Sequence, residues 1–206
     1  MSQVKLVWIT PDSEKIIAYC ARVSSSNQTN PDTTKLIKYL IKNKHWSPME
    51  MANLCCEITT SKAIAAQILR HRSFNFQEFS ARYSKVESNE MYEARRQDTK
   101  NKQNSIDDMS EEDKDWFDKA QKDVIQYTKR KYEQALDKSI AKEQARFLLP
   151  QSATTKMYMS GTIRSWLHYV DVRCDKSTQL EHREIAEKVK TILFDNVPNI
   201  AEAMNW

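Results

Sequence analysis

The chain has 206 residues, 40% hydrophobic and 29% charged, which is enough apolar mass for a packed core and enough charge for a solvated surface. No run of eighteen apolar residues occurs, so no membrane-spanning helix is expected. The net charge of +4 suits anionic small ligands and falls short of a dedicated DNA-binding surface, and a single glycine, Gly161, excludes both a Rossmann fingerprint and a P-loop.

Val4 to Ile9 reads as a strand. Thr10-Pro11-Asp12 then predicts a helix with Thr10 as N-cap, Pro11 in its first turn, and Ile16, Ile17, Cys20 and Ala21 as its apolar stripe. Asn30-Pro31 predicts a second helix opening in the same way, carrying Leu36, Ile37, Leu40 and Ile41. Lys42 to Pro48 is a turn, Met51 to Thr59 a strand, and Ser61 caps a helix running to about Arg70. From Glu87 to Asp108 the chain is polar, a long loop or arm in which residues 95–102 read as solvated. Ser110 with Asp113 resembles a capping box and opens the longest helix, about Glu111 to Asp137, with Trp116, Ala120, Val124, Tyr127, Tyr132 and Ala135 as its expected buried face. A short helix over Ile140 to Leu149 stops at Pro150. Thr154 to Ser160 reads as a strand, and Thr162 to Arg173 and Thr178 to Asn196 as helices. The sum is an α+β chain, helix-rich, with a small and mainly antiparallel sheet, expected to form one domain over 1–206.

The four cysteines, Cys20, Cys55, Cys56 and Cys174, include no CxxC pair, so buried free thiols are expected rather than a disulfide framework or zinc site. Cys174 adjoins Arg173, which could lower its pKa. The stretch from Met1 to Pro11 lacks the basic-then-apolar pattern of a secretory signal, and a cytoplasmic location is expected.

The densest chemistry lies in Arg70 to Tyr83, RHRSFNFQEFSARY. Guanidinium groups offer paired donors that match phosphate oxygens, amides and carboxylates can read the edge of a base, and the aromatic residues between them can pack on rings. With no glycine loop available, arginines and helix N-termini must hold any phosphate. A solvated basic turn with Phe side chains in the core is the competing reading.

Arg70-His71-Arg72, seven residues and then Ser80 is the RHR-x7-S signature of flavin-dependent thymidylate synthases, and Arg82-Tyr83 follows as in that family. Ala21-Arg22-Val23-Ser24 resembles the family's ARVS element, and His45-Trp46-Ser47-Pro48-Met49-Glu50 its HxSPxE segment. Ala145-Arg146, Leu149-Pro150, Arg164 and Arg173 fall where the family places ligand-binding residues. The chain departs from the pattern at Gln77, where Asn is common, at His168, where Asn is also common, and in Thr178 and His182, which replace the Ala and Ile of AQxEI.

This resemblance implies reductive methylation of dUMP to dTMP, with methylenetetrahydrofolate as carbon donor, NADPH as reductant and FAD as cofactor, without a cysteine nucleophile. It assigns dUMP to Gln67, Arg70, Glu78, Ser80, Arg82, Arg146 and Arg173, and it gives Arg173 the chemical role of favouring N3-ionised uracil. An ion pair of Arg173 with Asp171, Asp175 or Glu181 is the structural alternative. FAD falls to Ser24, His45, Ser47, Arg70, His71, Arg72, Glu78, Thr162, Ile163, Arg164 and His168. Arg164 and His168 would share a helix face, with Arg173 nearly opposite Arg164, and His182 reads as structural. The resemblance also implies a homotetramer with active sites at subunit interfaces and neither nucleic-acid nor membrane partners. The alternatives are a related flavin enzyme leaving a different group on C5 of dUMP, or a basic helical protein that binds nucleic acid.

Overall fold

The computed structural model describes residues 2–206; Met1, which the domain and leader readings include, lies outside them. Four antiparallel strands form the main sheet in the order β1-β2-β6-β3: β1 is Gln3–Ile9, β2 Asn53–Ser61, β3 Asn75–Glu78 and β6 Thr154–Thr162. A two-stranded ribbon, β4 (Arg96–Gln97) with β5 (Ser105–Ile106), stands apart. The helices are α1 (Ser13–Ala21), α2 (Thr34–Lys42), α3 (Lys62–Ile68), α4 (Glu111–Asp137), α5 (Lys142–Ala145), α6 (Ile163–Arg173), α7 (Leu180–Asn196) and α8 (Pro198–Ala203).

Strand alternation decides which face of the sheet is covered. Leu54, Cys56 and Ile58 of β2 lie opposite Gly161, Met159 and Met157 of β6, and all six are buried. The intervening pairs, Glu57 with Tyr158 and Thr59 with Lys156, face outward, where the Tyr158 hydroxyl donates to Glu57 at 2.9 Å. Trp166, Tyr169 and Val170 of α6 and Ile185, Val189 and Leu193 of α7 join the same core cluster as the inner strand residues. The Trp166 indole donates to the Leu54 carbonyl at 3.0 Å, so its one polar atom is satisfied at zero exposure. The only glycine sits where backbone and ring approach most closely: a Cβ on Gly161 would lie 2.6 Å from Phe74 Cδ1. Phe74 in turn meets Trp166 edge-on at 4.7 Å between centroids.

Several boundaries differ from the sequence reading for local reasons. The first helix begins at Ser13, because Thr10 closes β1 onto β2 instead of capping a helix. Asn53 N–H donates to Thr10 Oγ1 and Thr10 N–H to the Asn53 carbonyl, each at 2.9 Å, while Asp12 takes a left-handed φ of 49°. The second helix begins at Thr34, not at Asn30-Pro31. Asn30 Oδ1 accepts from Asp32 N–H at 2.9 Å, and the carbonyls of Asn30 and Asp32 both accept from the Arg22 guanidinium, which holds this stretch as a turn. The segment from Ile140 to Leu149 divides into α5 and a 3-10 turn over Arg146–Leu148.

The α4 start matches its cap: Asp113 N–H donates to Ser110 Oγ at 3.1 Å and Ser110 Oγ–H returns a bond to Asp113 Oδ2 at 2.7 Å. Its expected buried face does not form. Only Tyr132 and Ala135 are buried, whereas Trp116 is 68% exposed and Val124 and Tyr127 are also open. Strand β3, the β4–β5 ribbon and α8 have no counterpart in the sequence reading; β3 is four residues long with no β-branched member, too short for a periodic signal. All four cysteines are free; Cys55 and Cys56 are buried as expected, while Cys20 and Cys174 are only half-buried. No helix among the described residues is long and apolar enough to cross a membrane.

Candidate functional site

After α3 the chain turns tightly, with His71 N–H donating to the Ile68 carbonyl at 3.1 Å and Phe74 N–H to that of His71 at 3.3 Å, before entering β3. Two aromatic residues of this block point inward, Phe74 buried and Phe76 packed on the core, whereas Phe79 is half-buried and Tyr83 is exposed. The alternation leaves Arg70, Arg72, Ser80 and Arg82 exposed, and among the described residues none of these three guanidinium groups forms an ion pair. Arg70 and Arg72, unneutralised on the turn after α3, and Arg82, unneutralised in the turn after β3, favour an anionic ligand.

His71 turns inward from this surface. Arg173 Nε donates to His71 Nε2 at 2.8 Å, and the imidazole lies edge-on to Tyr169 at 5.0 Å. Burial, reinforced by the Arg173 charge, pushes the His71 pKa down to about 4, so the ring is neutral, accepts at Nε2 and carries its proton on Nδ1. The carboxylates that could have paired with Arg173 are otherwise placed. Asp175 accepts from Ser177, Glu181 pairs with Arg95, and Asp171 is exposed beside His168 in a cavity lining. Arg173 therefore keeps its terminal N–H groups for a ligand. Gln67 lies close by, with Nε2 donating to Gln179 Oε1 at 2.6 Å and Oε1 3.3 Å from His182 Nδ1. His182 is fully buried, as its structural reading requires, and burial lowers its pKa to about 3.

Helix α6 presents its two arginines to different surroundings. Thr162 Oγ1 caps it by accepting Ser165 N–H at 3.2 Å. Arg164 and His168, four residues apart, both line a cavity of about 660 Å³ with Trp46, Glu50 and Ser73, while Arg173 reaches His71. Arg164 holds Glu50 at 2.5 Å. Ile163, an expected cofactor contact, has a fully buried side chain and its N–H donates to the Ala52 carbonyl at 2.9 Å, so neither is open to a ligand. None of Arg70, Arg72 and Arg82 lines this cavity, so one chain does not gather the expected set into a single pocket.

The remaining expected residues are distributed around these two centres. Glu78 Oε1 accepts from Lys62 Nζ at 2.7 Å and Thr155 Oγ1 at 2.8 Å, which leaves Oε2 available. Lys62 had no sequence signal, because sheet register brings it to Glu78 across sixteen positions. His45 and Ser47 are exposed on either side of Trp46, and Ser24 is exposed in the turn after α1. Arg146 lies over its neighbour Phe147 at 5.3 Å and donates to the Glu143 carbonyl at 3.1 Å, beside the small cluster of α4 and α5.

One expectation is refined and one corrected. The 95–102 arm is exposed at Arg96, Gln97 and residues 99–102, as a solvated reading expects, but it is an ordered ribbon. Arg96 grips Asp108 through two bonds, Gln97 Nε2 donates to the carbonyls of Lys102 and Asn104, and Arg95 is withdrawn into a pair with Glu181 in which each side chain is only 10% exposed. Cys174 is not activated by Arg173. Burial, and then the Glu187 carboxylate facing it, push its pKa up to about 12.

Residues 5–199 match the family model described as thymidylate synthase complementing protein. The chain is 55% identical over 193 residues to the flavin-dependent thymidylate synthase of Synechocystis sp., covering 94% of this chain and 90% of that protein. It is 49% identical over 197 residues to a protein of Paramecium bursaria Chlorella virus 1 named "Probable flavin-dependent thymidylate synthase", covering 94% and 91%. In fold it is similar to the UMP/dUMP methylase PolB from Streptomyces cacaoi with 5-Br dUMP bound, with a TM-score of 0.89, 24% identity, and coverage of 100% of this chain and 95% of that one.

Proposed function

The chain belongs to the flavin-dependent thymidylate synthase family, and from that premise we propose that it converts dUMP to dTMP with methylenetetrahydrofolate as carbon donor and NADPH as reductant. The observation that carries this reading is the pairing of Arg173 with a neutral His71 at 2.8 Å, which orients a guanidinium that no carboxylate neutralises. Such a group stabilises negative charge as it develops on N3 of uracil and the adjacent oxygen, making C5 electron-rich. Arginine stays protonated, so Arg173 is an electrostatic catalyst and not the base.

Gln67, Arg70, Glu78, Ser80, Arg82, Arg146 and Arg173 are proposed to bind dUMP. Exposed Arg70 and Arg82 supply fork-like donors for a phosphate that is nearly dianionic at neutral pH. Glu78, pinned by Lys62 and Thr155, offers Oε2 as an acceptor. Ser80 binds rather than attacks: no histidine or carboxylate is bonded to its hydroxyl among the described residues, so nothing activates it as a nucleophile.

The donor set fits FAD: Arg70 and Arg72, without carboxylate partners among the described residues, for its phosphates, and a cavity of about 660 Å³ beside Trp46 and His168, with Arg164 held on Glu50 at its wall, for its rings. Ser24, His45, Ser47, Arg70, His71, Arg72, Glu78, Thr162, Arg164 and His168 are proposed to hold it. When bound, FAD supplies the redox chemistry that links NADPH to the nucleotide. The buried Trp166–Phe74 wall keeps the turn carrying His71 fixed, and with it the Arg173 guanidinium.

Because the expected residues occupy separate patches of one chain, we place the complete site between subunits of a homotetramer. The open α4 face, with Trp116, Val124 and Tyr127, supports that assembly. We further propose one domain over 1–206 acting in the cytoplasm, with small-molecule rather than nucleic-acid or membrane partners.

Tritium release from C5-labelled dUMP, run with and without FAD and methylenetetrahydrofolate, tests the reading. Release that requires both, with a product whose mass is that of dTMP, is expected; absence of release with every component present overturns it, and a hydroxymethyl product would redirect it. Arg173→Ala should keep the yellow FAD complex while release falls on the order of 100-fold or more, the scale of losing a group that stabilises developing charge. An unchanged rate would remove Arg173 from the chemistry.

A further inference from the structure

The polar junction between α3, α6 and α7 has an internal direction. The Glu181 carboxylate, paired with Arg95, can only accept. Gln179 must therefore turn Nε2 toward Glu181 Oε2, at 2.8 Å, and its Oε1 toward Gln67, whose Nε2 donates across 2.6 Å. Gln67 Oε1 then faces His182 Nδ1 at 3.3 Å, so the imidazole carries its proton there. The other ring nitrogen, Nε2, is left to accept from the Tyr169 hydroxyl at 3.2 Å. One carboxylate thus sets both amide orientations and the histidine tautomer, and the sequence runs without a break from the arm's Arg95 to the core's Tyr169.

Gln67 is the link that matters for a ligand. Of its four hydrogen-bonding positions, one N–H goes to Gln179 and one lone pair to His182. The second N–H and second lone pair remain, in an orientation that cannot flip without breaking bonds at both ends. His182 is fully buried between Tyr169 and Gln67, and its ring lies perpendicular to His71 at 6.2 Å between centroids, next to the histidine that holds Arg173.

We propose that His182 is a positioning residue for nucleotide binding: its Nδ1–H fixes the Gln67 amide so that one defined donor and one defined acceptor face the pyrimidine. The proposal rests on the reading of Gln67 as a dUMP contact. An apolar side chain at 182 would fill the space and remove the second anchor, leaving Gln67 tethered at Gln179 alone with its amide plane free to turn about that one bond.

The test uses the FAD-loaded, full-length enzyme and the tritium-release assay as a function of dUMP. His182→Leu is expected to raise KM for dUMP about tenfold, the scale of one lost hydrogen bond, with kcat reduced less than about twofold and the flavin spectrum unchanged. His182→Asn, which restores an N–H near the Nδ1 position, should recover most of the affinity. Gln179→Leu, at an exposed position that folding tolerates, loosens Gln67 from the other end and should raise KM similarly. If both act through Gln67, His182→Leu/Gln179→Leu will bind no worse than the weaker single variant. A purely structural histidine would lower the melting temperature and leave KM unmoved, and that outcome overturns the proposal. So do penalties that multiply in the double variant. Should His182→Leu fail to fold, an unaltered KM in Gln179→Leu overturns it equally. Gln67→Met separates the two levels. If it leaves KM unchanged, the dUMP assignment of Gln67 falls and takes this proposal with it; if it weakens dUMP while His182→Leu does not, only the His182 role falls.

Discussion

Helices α6 and α4 both carry large apolar residues at helical spacing, yet these meet opposite fates. α6 buries Trp166 completely, satisfies its indole on Leu54 and hands the opposite face to two chemical centres. α4 is 27 residues long, ends on a three-residue buried cluster with α5, and leaves Trp116 68% exposed. At about 1.5 Å per residue it extends roughly 40 Å, farther than a small sheet can cover. The difference separates what this chain completes alone from what it offers outward. The α6 region is a finished interior, whereas the α4 face and the arginine turn present unmatched apolar surface and unmatched charge.

The comparison can be broken by perturbing each side. Trp166→Ala should cost about 3–5 kcal/mol in urea unfolding, the range for removing a fully buried large aromatic side chain, and should loosen the turn carrying His71 through Phe74. A change near zero would mean that α6 is not the keystone described. Gly161→Ala should cost about 1–3 kcal/mol, because the new methyl meets the Phe74 ring at 2.6 Å from a sheet that cannot yield. If Phe74 swings aside cheaply instead, the variant will match wild type in stability.

Acid probes the same interior more gently. His182 has a folded pKa of about 3 and an ordinary value of 6.5, so between these limits the unfolded chain binds the extra proton. Its contribution to stability is complete above pH 6.5 and declines as pH falls toward 3, by at most about 1.4 kcal/mol for each pH unit. His71, with a folded pKa of about 4, acts in the same sense over a narrower window. Denaturant midpoints measured from pH 7 to 4 should therefore fall less steeply in His182→Asn than in wild type. Parallel slopes would mean that the buried ring does not resist protonation.

The smallest effect on the fold is expected on the α4 side. Trp116→Ser should alter the stability of the dissociated chain by no more than about 0.5 kcal/mol, as for an exposed position. Sedimentation at increasing concentration should nevertheless show weaker self-association. A large loss of monomer stability would sink the contrast between the two helices.

Much of this molecule was legible before any coordinates. The Ser61 and Ser110 caps each mark a helix start, because a hydroxyl bonding to an N–H three residues on is a local event; Thr162, read as the first residue of its helix, is a cap of the same kind. The Arg70–Ser80 block stood out in the absence of any glycine loop, and the structure leaves Arg70, Arg72 and Ser80 exposed. Local signals failed where a distant partner competed. Thr10 could not be assigned to the β1–β2 closure without Asn53, nor Asn30-Pro31 to a turn without the Arg22 guanidinium.

Composition and short-range spacing therefore determined the class of fold, the family resemblance and the residue types of the site, all properties of neighbours along the chain. Tertiary structure alone decided that Arg173 grips a neutral His71 rather than an adjacent carboxylate, that Lys62 pins Glu78, and that Arg95 begins a chain of bonds ending at Tyr169. The Arg173–His71, Lys62–Glu78 and Arg95–Glu181 pairs each join residues separated by sixteen positions or more, and partial burial favours each by making an unpaired polar group costly to leave.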